Sequence, residues 1–524
     1  MERIRIQNLR ALQDTDYVEL KPLTILVGKN SSGKSTFLRF FPLMKQTLET
    51  RTNEPILWYS PTFVDFGSFN ESLNYKNKGE SISFEFKLKL AKKRIYEGAF
   101  FLFKNRYSQK KIIESETDED ENVNLDLKII FSEKIINKIE VKLWDHEIEF
   151  FYQKEGVKIS INGEYLKEKL VSGLFGNSTN MLQNFVIEKE KKFVLIGEYF
   201  RDKVFRLVNG NDPSSTEESL IVELINSINL GDSHTILRSL KEIDYKSKSI
   251  EKQIDELEIN HPVFIEIKNS YFGIFLNEIV DICNEELKSF FLSVNYIAPI
   301  RASAERYYRI QGLALNEIDP QGVNIPMFLN NMSNAHKKKF NNWIKDNFHF
   351  DIVAESTGGH TSLFIRYENG TKINLADTGF GYSQILPIIL VLWQAVQTSE
   401  KIASYKEVKL VGRNRNFTIA IEQPELHLHP SLQAVLIDTF AKIIKVSKEI
   451  GIDLKIIIET HSETMINRVG QLIATKYEDF NKDLVNVLIF NSSDPFISNI
   501  RSTGYTEDGY LTSWPIGFFS PEDR

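Results

Sequence analysis

The stretch LTILVGKNSSGKSTFLRFF, residues 23–41, decides the fold. The apolar run VELKPLTILV, residues 18–27, reads as a strand and stops at Gly28; beyond Gly33 the pattern is helical. Between them Gly28-Lys29-Asn30-Ser31-Ser32-Gly33-Lys34-Ser35 matches G-x-x-x-x-G-K-[ST] in full, in the strand-to-helix setting where that spacing has a physical purpose. The glycines let backbone N–H groups turn inward around phosphate oxygens. The helix that follows, with Thr36 in its first turn, presents its positive end to the same anion. The pattern sets Lys34 against the β- and γ-phosphates of a nucleotide and the Ser35 hydroxyl on Mg²⁺.

Outward from the loop, RIRIQNL at residues 3–9 alternates as a strand does, so the chain opens strand, strand, glycine-rich loop, helix. The runs ISFEFKLKL, AFFLFKN, LDLKIIFS and KISING between 82 and 163 predict an antiparallel sheet of hairpins, with the acidic ESETDEDEN, 114–122, as a solvated loop. From 163 to 290 the pattern is helical and charged, and SLKEIDYKSKSIEKQIDELEI reads as one helix or short coiled segment. A hairpin is expected over 361–375, turned at Glu368-Asn369-Gly370. Helices over 384–397, 430–446 and 462–475 then alternate with strands over 417–422, 453–459 and 484–490, the rhythm of a parallel sheet covered by helices. The fold class is α/β, with expected parts at 1–75, 76–162 (antiparallel β), 163–290 (a mainly helical insertion) and 291–524, the last ending in a cap over 476–524.

The formal net charge of −7 over 524 residues argues against a surface coated in Lys and Arg for gripping nucleic acid. The patches Lys92-Lys93-Arg94 and His336-Lys337-Lys338-Lys339 read as solvated faces. A single cysteine, Cys283, excludes an internal disulfide and a Cys-based zinc site. The apolar run ILPIILVLWQAV, 385–396, holds a proline and is too short to cross a bilayer, and Met1–Arg5 lacks the apolar core of a signal peptide. The expectation is a cytoplasmic chain with no membrane partner.

Three further motifs stand at predicted strand or helix ends. In ETHS, 459–462, His461 follows an apolar strand and lies where ligands of parallel sheets collect. Beside a phosphate loop it is a candidate to face the γ-phosphate or the attacking water; alone, it reads equally as a structural residue. DTGFGYSQ, 377–384, puts Gly379, Gly381, Ser383 and Gln384 at a helix N-terminus, either an anion site or a plain cap. In AIEQPELHLHP, 420–430, a strand delivers Glu422 to the phosphate edge, where a carboxylate holds Mg²⁺. The next position, that of a water-activating base, is Gln423, which accepts no proton but orients a water by hydrogen bonds. Glu425, His427 and His429 lack a distant third ligand at metal spacing.

These pieces in this order resemble the ATP-binding-cassette heads of the SMC and double-strand-break-repair class over about residues 1–75 and 290–524. DTGFGYSQILP, EQPELHLHP, ETHSE and the tail GYLTSWPIGFF, 509–519, are more closely similar to compact prokaryotic SMC-like ATPases, relatives of the overcoming-lysogenisation nucleases and of the Septu anti-phage ATPases. The resemblance implies ATP and Mg²⁺ as cofactors and a head-to-tail homodimer with two ATP molecules between the copies. Each ATP would meet the loop residues Gly28 to Thr36, with Ser35 and Glu422 on the metal, and His461 of one copy; Gly379, Gly381, Ser383 and Gln384 would come from the other. The candidates to activate water are Gln423 by orientation and Glu425 or His461 by proximity, or none of them until a partner arrives, while YIAPIR, 296–301, is similar to a strand-to-loop motif of the same relatives, which makes Arg301 a phosphate or interface contact. GFGYSQ in place of S-G-G-Q, Glu422 in place of aspartate and Gln423 in place of glutamate depart from the general family, and the last makes hydrolysis slow or dependent on a partner. The family's glutamine loop has no counterpart in VDFGSFNESL, 64–73. The stretch after His461 is too short for the nuclease domain of the relatives, so a nuclease effector is expected as a separate subunit, with DNA a further candidate partner. A non-hydrolysing scaffold, a DNA-repair ATPase and a transporter subunit are the competing readings.

Overall fold

The computed structural model describes residues 1–98, 122–153, 156–172, 181–189, 192–210, 218–245, 247–311, 317–367, 369–404, 416–494 and 496–513. The chain divides into two compact units. The unit that carries the phosphate loop comprises Arg5–Thr50, Ile56–Glu80 and Lys288–Arg524. At its centre is a six-stranded sheet in the order Val294–Ile297, Asn416–Glu422, Asp453–Glu459, Leu23–Gly28, Val485–Asp494, Ile497–Thr503. The first five strands run parallel and the last is antiparallel to its neighbour. Every residue of Leu23–Gly28 is buried, as expected of a parallel strand covered on both faces.

Ile25, Val27, Ile419, Ile421, Ile456 and Ile458 share one apolar core with the helices Phe380–Ser404, Pro430–Ile450 and Glu463–Thr475. The helix Lys34–Glu49 packs across the same strands with Phe37, Phe40 and Phe41 fully buried. The helix expected over 384–397 is longer than its apolar run: it takes in Phe380–Ser383 and extends for 25 residues. Phe380–Thr398 is long and apolar enough to span a bilayer, contrary to the reading from 385–396 alone. Its apolar residues Ile385, Ile388, Ile389 and Leu392 are spent on the core of this unit. The hairpin expected over 361–375 pairs His360–Arg366 with Lys372–Asn374, while Glu368 of its turn lies outside the described residues.

The other unit comprises Met1–Ile4, Arg51–Pro55 and Ser81–Leu287. Six strands, Ile82–Ala91, Asn122–Phe131, Ile136–Leu143, His146–Gln153, Gly156–Ile161 and Glu164–Tyr165, each pair antiparallel with the next. Alternate residues of Asn122–Phe131 are buried, so one face makes the core. AFFLFKN and the acidic loop up to Glu121 lie outside the described residues. The segment read as helical also holds a three-stranded sheet, Lys169–Ser172, Phe185–Lys189 and Lys192–Leu195. Phe185-Val186-Ile187 is a buried aromatic and β-branched run, which a reading weighted by surrounding charge overlooks. The single helix expected around 239–259 is two, Ser233–Lys241 and Lys248–Asp255. Tyr245 ends the first by donating its hydroxyl to the Leu240 carbonyl at 2.9 Å, satisfying a helix-end acceptor.

Cys283 is wholly buried on the helix Leu276–Phe291, and burial pushes its thiol up to about 12. The native chain should therefore not react with a disulfide reagent at about pH 8, while the denatured chain releases one equivalent. A full equivalent from the native chain would show that this helix opens readily.

Candidate phosphate-binding site

The site starts from backbone conformation. Gly28 has φ +153° and passes so close to the neighbouring strand that a Cβ would lie 2.3 Å from the Phe490 carbonyl oxygen. Ser31 and Gly33 are left-handed, with φ of 62° and 96°, and Gly33 caps the helix Lys34–Glu49 without a side chain. The first helical hydrogen bond is Phe37 N–H to the Gly33 carbonyl, at 3.0 Å, which leaves the amides of Lys34, Ser35 and Thr36 outside the helical ladder. These N–H groups and the helix dipole make the end of the loop an anion cradle. Ser32 is buried and its hydroxyl has no hydrogen-bond partner among the described residues.

Lys34 is 3% exposed. Its ammonium donates to the carbonyls of Gly28 at 3.0 Å and Lys29 at 2.8 Å and stands 3.8 Å from Glu459 Oε1. Burial holds its pKa below the ordinary value, against the pull of Glu459 and Glu425. Ser35 Oγ donates to Glu459 Oε2 at 2.7 Å. Burial raises the Glu459 pKa; the Ser35 hydrogen bond opposes this, and the Glu422 charge adds to it.

Glu422 is engaged elsewhere. Arg39 grips it in a two-pronged pair, Nε to Oε1 at 2.7 Å and Nη2 to Oε2 at 2.9 Å, and the Tyr296 hydroxyl donates to Oε1 at 2.6 Å. The same pair raises the Arg39 pKa, and burial followed by the Glu422 charge raises that of Tyr296. Arg301, expected at a phosphate or an interface, is instead buried and directed at backbone. It donates to the carbonyls of Glu422 at 2.8 Å, Gln423 at 3.3 Å and Gln384 at 3.4 Å. Desolvation brings its pKa down to about 10.

Gln423 takes a left-handed φ of 43° and donates its N–H to the Glu459 carbonyl at 2.8 Å. Glu425, read as a candidate to activate water, spends both oxygens on the next strand's turn. Oε1 accepts from His461 N–H at 2.7 Å and Oε2 from the Thr460 hydroxyl at 2.9 Å. It therefore fixes the direction in which His461 leaves the strand. Burial, then the Lys34 charge, lower the His461 pKa and favour the neutral imidazole. His429 caps the helix Pro430–Ile450, its Nδ1 accepting from Ser431 N–H at 3.2 Å, while the His427 ring lies 5.8 Å from that of Phe380.

One cleft is lined by Asn30, Ser31, Ser32, Gly33, Lys34, Ser35, Thr36, Gln423 and His461, all anticipated from sequence, and by Arg10, Ala11 and Glu459, which were not. Arg10 lies over the Phe66 ring at 4.4 Å and donates to the Asp65 carbonyl at 3.4 Å, so it packs against the stretch 64–73, which contains no glutamine. Glu459 carried a signal that went unused: an acid at the end of the strand before His461. Gly379, Gly381, Ser383 and Gln384 stand outside this cleft. Ser383 Oγ donates within the first turn of its helix to the Phe380 carbonyl at 2.8 Å. A Cβ on Gly381 would lie 3.2 Å from the His427 carbonyl oxygen, so this helix start abuts the turn after Gln423.

The family model of the AAA ATPase domain matches residues 1–466. None of the curated proteins matches the chain. Among solved structures, an Smc head domain with an extended coiled coil from Pyrococcus furiosus, bound to the C-terminal domain of ScpA, is 9% identical, with a TM-score of 0.33 over 96% of each chain. The SMC head domain of Thermotoga maritima is 9% identical, with a TM-score of 0.31 over 95% of this chain and 97% of that one. An Smc head domain with a coiled coil and joint from Pyrococcus yayanosii is also 9% identical, with a TM-score of 0.31 over 97% of each chain.

Gly28→Ala should lower stability by about 2–4 kcal/mol, because the added methyl meets strand backbone in a conformation L-residues resist. Thermal unfolding measures this. A melting temperature within a degree or so of wild type would mean the loop relaxes freely away from Phe490.

Proposed function

The chain belongs to the AAA ATPase domain family, and from that premise we propose that it binds ATP with Mg²⁺ and works as an ATP-driven switch. The observation that carries the reading is the convergence of Lys34, Ser35, Gln423, Glu459 and His461 on one cleft at the open end of the helix Lys34–Glu49. The residues present suit a polyphosphate with a divalent cation: three amides left outside the helical ladder, a buried ammonium, a buried hydroxyl on Ser32 with no partner among the described residues, and oxygen donors on Ser35 and Glu459. Ser35 and an acid that ends a neighbouring strand would hold Mg²⁺, which supplies positive charge against the phosphate oxygens. Lys34 would exchange its loop carbonyls for phosphate. Gln423 would orient a water by its amide, and a neutral His461, aimed by Glu425, would accept a hydrogen bond beside it.

Gln423 accepts no proton, so hydrolysis is slow until a partner completes the site. ATP contributes differential affinity for a closed state in which two copies meet head to tail, with Ser383 and the glycines near it facing the partner's nucleotide. The likeness of DTGFGYSQILP, EQPELHLHP and ETHSE to compact prokaryotic SMC-like ATPases supports a cytoplasmic defence role, in which the switch controls a separate nuclease subunit, with DNA as a candidate trigger. Gln423 also favours a second reading, an ATP-dependent scaffold that turns over little or not at all.

Phosphate release by the full chain, alone and with DNA, separates the two. Turnover should exceed that of a Lys34→Ala control, and its absence under every condition leaves the scaffold. Gln423→Glu should raise the rate about tenfold or more, as restoring a base does; an unchanged rate transfers the role to His461. Ser383→Arg should abolish the ATP-dependent dimer in sedimentation while ATP still binds, and equal sedimentation of the two proteins would remove the head-to-tail arrangement.

A further inference from the structure

We infer that Glu459, and not Glu422, is the carboxylate that shares the divalent cation with Ser35, and that Glu422 is a positioning residue locked to Arg39, an assignment that rests on the nucleotide reading above. The two acids end neighbouring parallel strands in direct register, Glu422 opposite Glu459. The Glu459 strand lies beside the phosphate-loop strand, with Glu459 opposite Leu26, whereas the Glu422 strand is one place further away. The sheet order therefore brings Glu459 to the loop first.

Side-chain partners divide the roles in the same way. Glu459 lines the cleft, accepts the Ser35 hydroxyl at 2.7 Å and faces the Lys34 ammonium at 3.8 Å. Both oxygens of Glu422 are occupied, by the two-pronged Arg39 pair and by the Tyr296 hydroxyl. A carboxylate held this way has its charge compensated in place, and releasing it would leave the Arg39 guanidinium without its anion. Glu459 has no such partner once a polyphosphate engages Lys34. It would then be a buried carboxylate beside Glu422 and phosphate, a charge arrangement that a divalent cation balances. The Ser35 hydroxyl, now a donor to Glu459, turns its lone pairs to the same ion.

The test titrates Mn²⁺ into the full chain with bound ATP and follows the free ion by electron paramagnetic resonance, with metal-free ATP binding in EDTA measured alongside. Glu459→Gln keeps an acceptor for Ser35 but loses the charge. It should weaken Mn²⁺ binding at least tenfold while metal-free ATP affinity stays within about threefold. Glu422→Gln should keep Mn²⁺ affinity within about threefold and lower the melting temperature, because Arg39 loses its anion. A tenfold loss of Mn²⁺ in Glu422→Gln with near wild-type affinity in Glu459→Gln overturns the assignment. If Glu459→Gln fails to fold, seen as lost metal-free binding, the Glu422→Gln arm decides: retained Mn²⁺ affinity supports the assignment and a tenfold loss overturns it. Failure of the wild type to bind ATP with or without metal would instead remove the nucleotide reading itself, and this assignment with it.

Discussion

The constraint on which the rest depends is the parallel register of three neighbouring strands. Asn416–Glu422, Asp453–Glu459 and Leu23–Gly28 end at one edge of the sheet, so two acids and the phosphate loop arrive together. A shift of one residue would move Ile456 and Ile458 from the core they share with the covering helices to the opposite face and carry Glu459 away from Ser35. The geometry of the cleft is thus bound to the same apolar packing that stabilises the unit. Local loops adjust it: Gly28 lets the backbone pass Phe490, Arg301 gathers the carbonyls after Glu422, and Glu425 fixes the turn at His461.

Charge balance in and around the cleft follows from that register. Lys34, Arg39 and Arg301 face Glu422, Glu425 and Glu459 over short distances in a largely buried setting, and every one of these six side chains is held by backbone or by an opposite charge. Lys34 is bonded to carbonyls that a phosphate replaces readily, whereas Arg39 and Glu422 are bonded to each other. In the proposed function, ligand binding acts at Lys34, Ser35 and Glu459, while Arg39, Glu422 and Tyr296 stay fixed. A site divided in this way lets a polyphosphate change the cleft without disturbing the strand that supports it.

The phosphate loop was legible in sequence because its chemistry is local: the glycines, Lys34 and Ser35 act within eight residues of one another, between a strand and a helix that announce themselves by periodicity. The alternation of helix and strand after residue 380 was legible for the same reason. Glu459 was legible only as an acid at a strand end; the place of its strand between two others, on which its proposed role rests, is a non-local fact that spacing does not encode. A motif likeness for Arg301 and nearness to Gln423 for Glu425 point toward ligand chemistry, while burial turns Arg301 to backbone carbonyls and Glu425 to the His461 N–H and the Thr460 hydroxyl. The strands Phe185–Lys189 and Lys192–Leu195 were hidden by a charged neighbourhood, and the first turn at Phe380 by glycines that usually end helices rather than begin them.

Hydrogen exchange of the full chain, with and without ATP and Mg²⁺, reaches the central claim most directly, because the amides of Lys34, Ser35 and Thr36 stand outside the helical ladder. Nucleotide should slow exchange across residues 28–36 and at 459–461 together, since one ligand meets the loop and the neighbouring strand end. Unchanged exchange in both segments at saturating nucleotide would contradict it.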